Sequence, residues 1–170
     1  EDWWRGWMRA LRPHVDDGFG LAVFMLRRRQ DGTVEWLGER ALGPCAQHVE
    51  LLRPQNEAMP VEFVRRFFGG PIHAETASEM VPIEQLERTE AWTSVARTVG
   101  YRDSLGLVAV DARRLSLSIA VPLREVRRYG ARDRRPLLRI TTHIAAAFRP
   151  RSPAAAPEAA PPPPGSPLPP

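Results

Sequence analysis

Lysine is missing from this chain: all 24 basic residues are Arg. With Ala and Pro abundant, that is the mark of coding drift in a GC-rich genome, not of selection for guanidinium chemistry. Cysteine is nearly missing too. Cys45 alone excludes an internal disulfide and fits a reducing compartment, so a cytoplasmic setting is expected. No apolar run approaches the roughly 20 residues a helical membrane span needs, and no membrane association is expected. The chain opens at Glu1, without Met and without a signal-peptide pattern, so a piece of a longer protein is expected. Positive charge is in modest excess, at +4 with a pI near 10.4. Much of it sits in short runs, Arg27-Arg-Arg29, Arg127-Arg128 and Arg132/Arg134/Arg135. These read as solvated loop and strand-end charge rather than a nucleic-acid face.

Motifs that carry chemistry are scarce as well. No Gly-rich phosphate loop, no Gly-x-Ser-x-Gly elbow and no paired-cysteine metal motif occurs. Cys45 and His48 are three residues apart, and His73 follows on a later segment. A Cys/His/His metal site is conceivable there, but nothing fixes a further ligand, and ordinary side chains are the expectation. Glu75, Glu79, Glu84, Glu87 and Glu90 form an acidic stretch that reads as a solvated helix face. Acid–base catalysis needs two such groups around a cleft, which spacing alone does not supply. No catalytic residue and no metal ligand is assigned, no enzyme is expected, and the question of a cofactor stays open.

What the sequence does contain is periodicity. Leu115, Leu117, Ile119, Val121 and Leu123 alternate with Ser116, Ser118 and Ala120, the period-2 signature of a strand. Leu105–Val110 is apolar on both faces, which suits a strand well inside a sheet. Asp111–Arg114 joins the two as a hairpin. Phe19–Leu26 reads as a central strand and Val34–Leu42 as its edge partner, with Asp31-Gly32 placed for a type I′ turn. A short edge strand is expected near Glu79-Met-Val81. Helices are expected at Trp3–Leu11, stopped by Pro13, at Cys45–Leu52, after an Asn56 cap, and at Leu86–Val99 with Gly100 at C′. The last spans Asp133–Arg149, with Leu137, Ile140, Thr141, Ile144 and Phe148 at helical spacing. Residues 150–170 hold ten Pro, with most of the rest Ala, Gly or Ser. That composition buries no core and reads as a disordered Pro/Ala-rich tail or linker over 151–170. The expected fold is α+β over residues 1–150: an antiparallel sheet of about five strands with helices on both faces. The first and last helices should share the face away from the middle ones.

Two clusters of large side chains stand out. Phe63, Phe67, Phe68, Met80, Trp92 and Tyr101 fall in the middle segments, where they would face the sheet residues Val23, Met25, Trp36, Leu107 and Ala109. They are candidates for the lining of a small-molecule pocket between sheet and middle helices, foremost Trp36, Phe63, Phe67, Met80, Trp92, Tyr101 and Leu107. The alternative is that they simply fill the core. Trp3, Trp4 and Trp7 on the first helix, with Ile144 and Phe148 on the last, are candidates for a homodimer contact.

Element order, the early Asp-Gly hairpin and the segment Gly100-Tyr-Arg-Asp-Ser-Leu-Gly-Leu-Val-Ala-Val-Asp111 together resemble a GAF-type sensor domain, of the GAF/PAS-like class. The Leu115–Val121 strand and the Leu137–Phe148 helix fit the same pattern. More narrowly, Leu11–Gly20 and Thr142–Arg149 resemble segments flanking the N-terminal sensor half of LuxR-type helix-turn-helix transcriptional regulators. The likeness covers about residues 7–150. It implies a regulatory domain of a bacterial transcriptional regulator that senses a small molecule and dimerises, with DNA bound only through a domain absent from this sequence. A ligand-free interaction or dimerisation module is the alternative. The Asn-Lys-x-x-x-Phe-x-x-x-Asp-Glu motif of the family's cyclic-nucleotide-binding members is absent, and Cys45 does not match a bilin-attachment position.

Overall fold

The computed structural model describes residues 3–29, 34–51, 61–111 and 114–148. Five strands form one sheet: β1 (Leu21–Arg28), β2 (Val34–Leu42), β3 (Ile72–Thr76), β4 (Asp103–Val110) and β5 (Leu115–Leu123). Their order is β2-β1-β5-β4-β3, and every neighbouring pair is antiparallel. The helices are α1 (Trp3–Val15), a 3₁₀ turn at Pro44–His48, α2 (Val61–Phe67), α3 (Ala77–Met80), α4 (Ile83–Leu86), α5 (Glu90–Val99) and α6 (Ala131–Phe148). The Asp31-Gly32 turn, the Asn56 cap, the Trp3 side chain and the tail lie outside the described residues.

Strand parity sorts the side chains into two cores. Leu117, Ile119 and Val121 of β5 point to one face, with Leu21 and Val23 of β1 and Leu105 and Leu107 of β4. Met8 and Leu11 of α1 and Leu137 and Phe148 of α6 cover that face. The opposite face carries Phe24, Leu26 and Val108, packed under Phe67, Met80, Leu86, Trp92 and Val95 of α2 to α5. The first and last helices thus share one face and the middle helices the other. Burying both faces of a sheet is what lets β1 and β4 be apolar at nearly every position.

Four boundaries differ from the sequence reading. Helix α1 runs through Pro13 to Val15, and the Asp16 N–H still reaches the Arg12 carbonyl at 2.9 Å. A proline in the last turn removes a single donor and breaks nothing downstream. The edge strand lies at Ile72–Thr76, not at residues 79–81, because Glu79 bends back to accept the Thr76 N–H at 2.9 Å and starts α3. The stretch expected as one helix from Leu86 to Val99 is two, broken after Leu86, with α5 starting at Glu90. Only Pro44–His48 of the Cys45–Leu52 segment is a 3₁₀ turn, with helical backbone following to Leu51. Gly100 does close α5 in the left-handed conformation, φ 88°, as its position demands.

Candidate functional site

On the face beneath the middle helices the sheet is built of small residues. Ala22 of β1, Ser118 and Ala120 of β5, and Ser104 and Gly106 of β4 lie there, with Gly106 opposite Ala120 in the ladder. Helices packed on this floor cannot follow it down, because a helix presents a ridge of side chains and not a conforming surface. A cavity of about 60 Å³ remains between the layers. Phe63 and Phe67 of α2, Ala77 and Met80 of α3, Trp92 of α5 and Tyr101 wall it, with Cys45 from the 3₁₀ turn. The Trp92 and Tyr101 rings meet edge to face at 5.4 Å, and Phe63 stacks on Phe67 at 6.0 Å. Such pairs hold the walls in fixed orientation.

Five of the seven candidate pocket residues, Phe63, Phe67, Met80, Trp92 and Tyr101, are brought together here. Trp36 is on the same face but sits toward the edge, its ring 5.0 Å from that of Phe24 and its indole N–H bonded to Glu39. Leu107 is elsewhere. It pairs with Ile119 and joins the core under α1 and α6, as do Val23 and Met25, and Ala109 shares its parity. The reason is register: β4 and β1 are apolar at both parities, so their sequences do not say which set faces which layer. The floor residues were missed for the opposite cause. The small positions of β5 were the signal, since a strand whose alternate face is Ser-Ser-Ala leaves room above it.

Cys45 reaches the pocket through a close approach of two backbones. A Cβ on Gly20 would lie 1.9 Å from the Leu42 carbonyl, and one on Gly43 2.8 Å from the Gly20 Cα. Both glycines have positive φ, and between them the Cys45 N–H meets the Phe19 carbonyl at 2.8 Å. The thiol, in weak contact with the Leu42 carbonyl at 3.7 Å, is pushed up to about 11 by burial and then by the Asp16 charge. His73 meets Phe67 edge to face at 5.8 Å, and its buried Nε2 has no hydrogen-bond partner among the described residues. Burial pushes its pKa down, the neighbouring Glu75 opposing. Among the described residues no group of three His, Cys, Asp or Glu is placed to hold a metal ion.

A polar clamp lies behind α3. Asp103, with no exposed surface, accepts from the Ser78 hydroxyl at 2.6 Å, the Ser78 N–H at 3.2 Å, the Ser104 N–H at 2.8 Å and the Arg127 N–H at 3.2 Å. The Thr76 hydroxyl donates to the Arg127 carbonyl at 2.8 Å. Glu79 accepts from the Tyr129 N–H at 2.9 Å and from Arg134 of α6 at 2.7 Å. Glu75 binds Arg66 at 3.0 Å through two hydrogen bonds. Glu75 and Glu79 are therefore anchors and not part of the solvated face expected for them; Glu84, Glu87 and Glu90 are exposed. The one turn of α3 faces two ways. Ala77 and Met80 wall the cavity, while Glu79 holds Tyr129 and Arg134 at the entry to α6 and Ser78 holds Asp103, which in turn takes the Arg127 N–H.

The candidate dimer residues are partly committed to their own chain. Phe148 is 2 % exposed and belongs to the core beneath α6, which removes it as a contact. Trp4, Trp7 and Ile144 are half-buried against that core, the two Trp rings 6.0 Å apart. Several arginines of the basic runs are paired: Arg127 with Asp17 at 3.2 Å, Arg27 and Arg29 with Glu35 at 3.6 and 3.7 Å.

No family model and no curated protein matches the chain. A solved structure does: the photoproduct state of GAF3 from Slr1393 of Synechocystis sp. PCC6803, at 14 % identity and a TM-score of 0.51. The match covers 88 % of this chain and 94 % of the other. This chain has a GAF-like fold. At that identity the likeness speaks for architecture alone. Among the described residues of this GAF-like chain no helix is long and apolar enough to cross a membrane.

Proposed function

We propose that this is a regulatory domain that senses a small molecule in the cavity between the sheet and the middle helices. The observation that carries the reading is the double role of α3: the turn that walls the cavity with Ala77 and Met80 also holds the entry to α6, directly through Glu79 and, by way of Asp103, through Ser78. A ligand that moved Met80 would act on the Glu79–Arg134 contact. It would shift the population of α6 positions by its differential affinity for them. In the finer form of the proposal, the half-buried Trp4, Trp7 and Ile144 meet a second copy. The domain then serves a LuxR-type transcriptional regulator whose DNA-binding part lies outside this sequence.

The test is native mass spectrometry of the chain produced in a bacterial cytoplasm, beside an Ala120→Leu variant that fills the cavity. A small-molecule mass on the wild type, missing from the variant, is the expected result. A folded wild type with no bound mass, and no change in α6 hydrogen exchange between wild type and variant, overturns the sensing role. The second reading, a ligand-free interaction module, is favoured by one fact. The cavity of about 60 Å³ is well below the roughly 300 Å³ and above of ordinary ligand pockets. A dimer with nothing bound selects it.

A further inference from the structure

The cavity's lining is as informative for what it omits as for what it holds. Arg, Asp and Glu make up a quarter of this chain, yet none of them is among the described residues around the cavity. Arg66, Glu75 and Glu79 lie within two residues of its walls in sequence and are tied to one another or to Arg134 instead. An anion or cation entering the cavity would lose its hydration with no opposite charge to replace it, a cost that neutral solutes do not meet.

The polar groups that are present are neutral. Ser118 is 2 % exposed, lies on the floor between Phe24 and Val108 in the ladder, and its hydroxyl makes no hydrogen bond to any described residue. Ser104 lies on the same floor, and its hydroxyl likewise makes no hydrogen bond to any described residue. Both serines border the cavity, so a ligand donor or acceptor entering it can meet a hydroxyl that is not already engaged. Around this point the walls are rings, Phe67, Trp92 and Tyr101, so the complementary shape is flat. The volume of about 60 Å³ is below the roughly 150 Å³ of an engineered cavity that holds one benzene, so a single ring is the upper bound and enters only as Met80 yields, its unbranched side chain repacking readily.

We infer that the cavity takes an uncharged, flat, largely apolar molecule of about one ring, whose hydrogen-bonding group is met by Ser118, and that it rejects anions. The inference rests on the sensing reading above and deepens it. Phosphorylated or carboxylate ligands are excluded by it; neutral phenolic or heteroaromatic ones are admitted.

The experiment is a binding series on the wild-type chain with phenol, toluene and benzoate, followed by calorimetry and by shifts of the thermal midpoint. Phenol should bind and raise the midpoint, toluene should bind more weakly, and benzoate should do neither. Ser118→Ala should bring phenol down to the level of toluene, a loss on the order of fivefold. Benzoate binding as tightly as phenol overturns the neutral class while leaving the pocket in place. Phenol unaffected by Ser118→Ala in a folded variant overturns the assigned contact. Binding of all three compounds that persists in Ala120→Leu puts them outside the cavity and overturns the inference. Failure of all three, with Ala120→Leu raising the midpoint by filling the void, overturns the pocket as a binding site. It takes the sensing reading with it.

Discussion

Asp103 has no exposed surface, yet no arginine is within pairing distance of it among the described residues; four hydroxyl and amide donors from Ser78, Ser104 and Arg127 satisfy its oxygens. A buried carboxylate served this way fixes the chain segments that serve it, since each loses a partner if any moves. Cys45 is the contrasting case, a polarizable group with one weak contact in an apolar wall. Burial raises its pKa from 9.0 to about 11, so the folded state holds the proton that the unfolded state releases first. Its contribution to stability is complete below pH 9 and is lost as pH rises toward 11, at most roughly 1.4 kcal/mol for each pH unit in that window. The expected outcome is a thiol that stays unlabelled by iodoacetamide at pH 8 in the native protein and reacts at once in urea. Rapid native labelling would place Cys45 outside the cavity wall.

The elements depend on a few backbone positions more than on propensity. The crossing of the start of β1 and the end of β2 works only because Gly20 has no Cβ to meet the Leu42 carbonyl, and because its φ of 85° suits glycine. Gly20→Ala is expected to cost on the order of 4 kcal/mol or to prevent folding. Gly6, in α1 with nothing within 4 Å of a built Cβ, gives the opposite sign: Gly6→Ala should stabilise by up to about 1 kcal/mol. Urea midpoints of the two variants check both; equal effects would mean that the Gly20 contact is not a tight one. Element type was legible where periodicity was strong, as in β5 and α6. It failed at residues 76–90, where Thr76 and Glu79 form a local cap and short turns carry no period to read.

One sheet serves two cores, and this decides how the molecule unfolds. Trp4 and Trp7 report on the layer under α1 and α6, Trp36 and Trp92 on the layer holding the cavity. Neither set of helices has a surface to pack on once the strands part, so both layers should melt in one transition. Fluorescence of a Trp36→Phe/Trp92→Phe variant and far-UV circular dichroism should then give the same urea midpoint. A fluorescence midpoint above that of circular dichroism would show that the helices over the cavity come away first.

From its composition and periodicities, the sequence determined an α+β chain with an antiparallel sheet of about five strands, capped at one end of its helix α5 by Gly100, with most of the cavity's aromatic walls named in advance. Those features are local: they follow from period, turn chemistry and side-chain size along a single segment. Tertiary structure decided which parity of β1 and β4 faces which layer, because both parities are apolar and only pairing with β5 breaks the tie. It moved Leu107 and Phe148 into the core under α6. It also turned an ordinary Ser-Ser-Ala alternation into the floor of a cavity and joined Glu79 to Arg134, 55 residues apart. Contacts of that separation leave no trace in a local pattern, because each partner alone looks like a solvated charge or a small filler until the sheet brings them together.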